Sequence, residues 1–153
     1  MVQISPAAVI LLSQLTVAAT PPFMPDPATR PGASDPSAST EVVCTPGYAK
    51  ARRHTSGNLK RRVYLAYGIT EHRSGQYEID HLVPLELGGA DTFENLWPQS
   101  YGTQPWNARL KDRLENRLRQ LVCDGQISLQ TAQEAIRVDW IAAYLQFVGP
   151  LSP

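Results

Sequence analysis

The sequence predicts an α+β domain whose core is a β-hairpin with a long connection, followed by an amphipathic helix and flanked by further helices. Three observations carry this. Gln76 to Asp80 alternate polar and apolar as a half-buried strand does. Asn95-Leu96-Trp97 supplies a returning strand, after a connection rich in the turn residues Pro84, Gly88 and Gly89. Leu110, Leu114, Leu118 and Leu121 then recur at helical spacing up to Cys123, with Gly125 placed as a stop.

Taken in order, the 153 residues suffice for one domain, and 42% hydrophobic with 18% charged residues excludes a fibrous or wholly disordered chain. An apolar run from Ala7 to Ala19 is broken only by Ser13, Gln14 and Thr16 and ends in the small residues Val17-Ala18-Ala19. It is too short to span a bilayer and fits a signal peptide over residues 1–19, although no Lys or Arg precedes it. The expected destination is therefore secreted or periplasmic, with no lasting membrane association after processing. Residues 20–43 crowd Pro, Ala, Ser, Thr and Asp without apolar periodicity and read as a disordered linker. The folded domain is expected over residues 44–153. In an exported domain the two cysteines, Cys44 and Cys123, read as one disulfide, which in the chain-entropy model stabilises the fold by about 4 to 5 kcal/mol.

Ser56 can cap a helix through Leu59, Val63, Leu65 and Tyr67 that stops at Gly68 and carries Lys60, Arg61 and Arg62 on its basic side. Pro105 suits the first turn of the leucine-striped helix. A last helix starts at the Ser128 cap, turns Leu129, Ala132, Ile136, Trp140 and Tyr144 inward and ends near Gly149. That stripe is core and carries no chemistry. The 14 basic residues cancel 14 acidic ones overall, but between Lys50 and Arg119 there are 12 Lys and Arg against 8 Asp and Glu. The middle of the chain is thus mildly basic.

One segment stands apart: Glu78-Ile79-Asp80-His81-Leu82-Val83-Pro84-Leu85-Glu86-Leu87-Gly88-Gly89, then Asn95-Leu96-Trp97-Pro98-Gln99. An acidic residue adjoins a histidine at a strand end, a Gly-Gly turn follows, and an Asn leads into Pro-Gln before the amphipathic helix. Over Tyr77 to about Glu115 this wording resembles the HNH, or ββα-metal, endonuclease family. The resemblance implies that Asp80 is the first metal ligand, that His81 is the general base, and that Asn95 steadies the loop bearing that histidine. No histidine follows His81, so the family's usual final ligand is missing. The series from Asn95 through Asn107 to Glu115 is similar to the related non-specific DNA/RNA endonucleases. That similarity implies a metal-binding Asn107 and a Glu115 that holds a metal-bound water. Asp112 competes with Asn107. The two are five residues apart, about 140° on a helix, and Asn107 shares the register of Leu110, Leu114 and Leu118; the expectation is that Asn107 faces the hairpin and Asp112 does not.

The chemistry of these residue types is consistent with phosphodiester hydrolysis. A histidine titrates where a base must work, and a charge is needed to stabilise the pentacovalent phosphate. Asp and Asn oxygens are hard ligands, so the expected cofactor is one divalent ion, Mg²⁺ before Mn²⁺ or Ca²⁺, with Zn²⁺ less favoured. The expected substrate is nucleic acid, DNA or RNA, cleaved with little sequence preference because no base-reading module is attached. Arg52, Arg53, Arg61, Arg62, Arg109, Lys111, Arg113 and Arg117 are candidates for phosphates, while His54 and His72 read as surface residues and Trp97 and Trp106 as core. The alternative, motivated by the missing histidine, is an inactive nucleic-acid- or metal-binding protein with the same fold.

Overall fold

The computed structural model describes residues 24–151; the expected signal peptide lies outside them. Within them five helices and one two-stranded antiparallel sheet form a mixed α and β domain. The order is α1 (Thr40–Val43), α2 (Tyr48–Arg52), α3 (Gly57–Ala66), β1 (Tyr77–His81), β2 (Leu96–Ser100), α4 (Ala108–Cys123) and α5 (Leu129–Phe147). Short 3₁₀ turns at Leu85–Leu87 and Phe93–Asn95 shape the connection between the strands.

Local chemistry explains most boundaries. Ser56, Asn107 and Ser128 each accept a hydrogen bond from the backbone N–H three residues on, at the starts of α3, α4 and α5. Gly68 and Gly125, just past α3 and α4, have φ of 69° and 70°, which a residue with a side chain rarely adopts. Pro105 precedes α4 instead of opening it, because Asn107 holds the cap. In α5 the helix breaks at Asp139, whose carboxylate accepts from the N–H groups of Ile141 and Ala142 and so recaps the second part.

The core lies mainly between α4 and α5. Leu114, Leu118 and Val122 of α4 meet Ala132, Ile136, Trp140, Ala143 and Tyr144 of α5, with Val43 and Leu87 closing one side. Trp106 sits edge-on to Trp140 and Tyr144, and Trp97 is fully buried, so both tryptophans serve packing. Cys44, just after α1, is disulfide-bonded to Cys123 at the end of α4.

The stretch expected to be a linker behaves differently from Met24 onward. Its backbone pairs with the connection between the strands: Asp35 N–H donates to Gly88 O, Ala90 N–H to Ala33 O, and Gly32 N–H to Glu94 O. Arg30 is 1% exposed, donates from Nε to Leu96 O at 2.8 Å, and stacks on Phe93 with Cζ 3.7 Å from the ring centroid. This strap gains order from main-chain pairing and one buried guanidinium. Neither leaves an apolar period in the sequence. No helix among the described residues is long and apolar enough to cross a membrane.

Candidate active site

The two strands pair from Tyr77↔Ser100 to His81↔Leu96, with Asp80 opposite Trp97. Because strand side chains alternate, Glu78 and Asp80 share the face toward α4, while His81 turns to the other. The connection that follows is pulled tight. Leu82 N–H donates to Asn95 O, and an added Cβ at Gly89 would stand 1.8 Å from Val83 O, so only glycine fits there. Fully buried Asn95 ties this loop internally. Its Nδ2 donates to Val83 O at 2.8 Å and Ala90 O at 2.9 Å, while its Oδ1 accepts from Val83 N–H and from Ala33 N–H of the strap.

His81 is 3% exposed and its Nε2 lies 2.8 Å from Asp91 Oδ1. Asp91 is itself fixed, accepting from the Thr55 hydroxyl and from His54 N–H at 2.7 Å. Burial holds the His81 imidazole below the ordinary histidine range, against the opposing pull of Asp91 and Asp80. Burial alone would raise the Asp91 carboxyl, but the hydrogen bonds from Thr55, His81 and His54 outweigh it and hold it below the usual carboxylate range. Sequence reasoning did not find Asp91. Its place ten positions beyond His81, in an irregular loop, gave no periodic signal.

On the α4 side the central group is Lys111. It is wholly buried, and its ammonium meets Asp80 Oδ2 at 2.6 Å, His81 O at 2.7 Å and Glu115 Oε1. Asp80 and Glu115 hold its proton firmly against the cost of burial, so Lys111 is charged. As a surface contact for phosphate it is ruled out by that burial. Further carboxylates surround this ion cluster. Burial raises Glu78, Glu86 and Asp112, and mutual repulsion adds to it: Asp80 and Asp112 act on Glu78, and Asp80 acts on Asp112. Tyr101, which donates to Glu78 Oε2 at 2.7 Å, is pushed up to about 12, chiefly by that hydrogen bond. Exposed Arg53 and Arg109 lie close enough to act on Asp112.

Asp80, His81, Asn95 and Glu115 are thus brought to one region, and Asn107 is not. Its side chain is spent on the N–H of Leu110, and it lines a cleft with Pro105, Tyr144 and Val148 on the other side of α4. The physical reason is twofold. Asn107 is a cap with extended backbone, so helical register does not apply to it. The leucine stripe packs on α5, and the hairpin faces a different side made by Lys111, Asp112 and Glu115. Asp112 falls about 60° from Glu115 on the helix, toward the hairpin rather than away from it. As arranged, Asp80, Asn107 and Glu115 do not fit a shared divalent ion: Asn107 is elsewhere, and a lysine ammonium stands between the two carboxylates.

The chemical capacity is therefore a neutral, oriented imidazole beside an acidic cluster clamped by an internal cation, with arginines at the rim. No protein-family model, curated protein or solved structure matches this chain, and what the site does must be read from its own residues.

Proposed function

We propose that the chain is an endonuclease hydrolysing phosphodiester bonds in DNA or RNA with little sequence preference, and that His81 is its general base. The observation that carries this is the His81–Asp91 pair. Asp91 Oδ1 accepts the proton on Nε2, which leaves the lone pair on Nδ1. Burial disfavours the imidazolium, so that nitrogen stays free to take a proton from water. Nδ1 takes a proton from the water as its oxygen attacks phosphorus; the P–O bond to the leaving oxygen breaks with its electron pair going to that oxygen, which takes a proton from solvent. In this reading the exposed Arg53 and Arg109 hold the flanking phosphates; both act on Asp112 and so offset the charge of the acidic cluster. The order strand, tight loop, strand, helix supports the reading, as does the HNH-like wording of its residues.

A divalent ion, Mg²⁺ first, remains part of the proposal as a requirement to be measured, with no ligand set assigned. Supercoiled plasmid and single-stranded RNA incubated with Mg²⁺ or with EDTA test it directly. Cleavage should occur with Mg²⁺, and His81→Ala should lower the rate by roughly 10²-fold or more with an unchanged circular dichroism spectrum. A variant as fast as wild type would remove His81 from the chemistry. Lys111, occupying the space between Asp80 and Glu115, favours a second reading, a nucleic-acid-binding protein of the same fold without catalysis. Binding without cleavage under every ion condition would select it.

A further inference from the structure

Lys111 comes from the first buried turn of α4, yet its ammonium does not end among the apolar residues of that helix. It ends among three oxygens: one carboxylate oxygen each from Asp80 and Glu115, and the main-chain carbonyl of His81. The ammonium donates to the His81 carbonyl and to Glu115 Oε1, and it pairs by charge with Asp80 Oδ2. The lysine is 0% exposed, while Asp80 and Glu115 retain 13% and 15% of their side-chain exposure, so the cation is the innermost member of the cluster. Two carboxylates and a carbonyl are hard oxygen donors of the kind that Mg²⁺, Mn²⁺ or Ca²⁺ takes. They come from two elements that must be held together for the site to exist: the end of β1, which supplies Asp80 and the His81 carbonyl, and the middle of α4.

We propose that the Lys111 ammonium is the resident cation of a three-oxygen cradle formed by Asp80, Glu115 and the His81 carbonyl, which assembles the site without a bound metal. The cradle is a cation site already filled by the chain. Lys111 acts as a positioning residue: it reaches no substrate, and it fixes the carbonyl that sets the backbone under the proposed base. This deepens the reading of the same site, but its test reads stability and ion binding, so it stands or fails separately from any cleavage activity.

The test compares the full-length protein with Lys111→Ala, which empties the cradle, and Lys111→Met, which removes the charge but keeps the space filled. Thermal unfolding is followed in EDTA and in millimolar Mn²⁺ or Ca²⁺, and bound Mn²⁺ is counted by electron paramagnetic resonance. Wild type should gain less in melting temperature from Mn²⁺ or Ca²⁺ than Lys111→Ala does. Lys111→Ala in EDTA should melt lower by roughly 10 °C or more, since it leaves Asp80 without its cation and the Glu115 carboxyl, which burial already raises to about 8, without the partner that offsets that burial. Mn²⁺ should restore much of that loss and bind at one more site per chain than in wild type. Lys111→Met should melt lower and respond to no ion, which a purely structural lysine would not distinguish from Lys111→Ala. If Lys111→Ala does not fold in EDTA, refolding that depends on Mn²⁺ gives the same support. Failure to refold with any of these ions, equal Mn²⁺ counts in folded Lys111→Ala and wild type, or equal rescue of both variants would overturn the proposal.

Discussion

Asp91 is held by three donors, the Thr55 hydroxyl, the His54 N–H and the His81 ring, and it is this fixed carboxylate that decides which imidazole nitrogen is free. Asp91→Asn keeps the shape and removes the charge. It should cost about 1.5–3 kcal/mol at neutral pH, the range for a hydrogen bond to a charged group. The sign of its pH dependence follows from the depressed carboxyl. A group whose pKa is lowered by folding stabilises the protein above its unfolded value near 3.8 and loses that contribution as pH falls through the folded value. Wild type should therefore lose stability below about pH 4 more steeply than Asp91→Asn, as urea unfolding across pH would record. In the same variant the nitrogen-15 shifts of His81 should move away from the form protonated at Nε2. A spectrum unchanged from wild type would separate Asp91 from the tautomer and leave it a loop anchor only.

Among the elements, α4 shows both the reach and the limit of the sequence. Its period and its C-terminal end were legible, since Leu110 to Leu121 set the period and Gly125 the stop, but its start was not, because Asn107 caps it where Pro105 was expected to open it. What a one-stripe helical wheel could not reveal is that α4 buries two faces, one of leucines against α5 and one of charged residues against the hairpin. A buried lysine breaks the rule that charge marks solvent, so the charged face looked exposed. The hairpin was legible because Gln76 to Asp80 alternate polar and apolar residues and the connection carries a glycine, Gly89, where backbone approaches closely. The short helices α1 and α2, of four and five residues, carry too few turns to show a period. For Asn107 the consequence is a capping role. Asn107→Ala should destabilise by about 0.5–2 kcal/mol and leave ion binding near wild type. Asp112→Ala should instead alter ion binding and the titration of Glu78, because it removes a charge facing Asp80 and Glu78. Isothermal titration with Mn²⁺ beside thermal melts of both variants decides between them; loss of binding in Asn107→Ala alone would reverse the assignment.

The molecule as a whole is held by a strap, a hairpin and two long helices, and one covalent bond spans most of it. Cys44 and Cys123 are separated by 79 positions, for which the chain-entropy model gives roughly 4–5 kcal/mol. Protein from an oxidising compartment should show no reactive thiol when denatured, and reduction should lower its melting temperature; two free thiols would contradict the pairing. The strap, residues 24–39, was not legible because a Pro-rich stretch with one buried arginine has no pattern to read, although it donates to the loop that Asn95 braces. The same disulfide has a mechanical consequence. Asp80, His81, Asp91, Asn95, Lys111 and Glu115 all lie between its two cysteines, whereas the strap and α5 lie outside. Tension applied at the two termini passes across the sulfur bridge and bypasses the enclosed segment. A stretched molecule should peel at the strap and α5 while the enclosed segment carries no load, and adding a reductant should release about 26–28 nm of further contour length, at about 3.3–3.6 Å per residue.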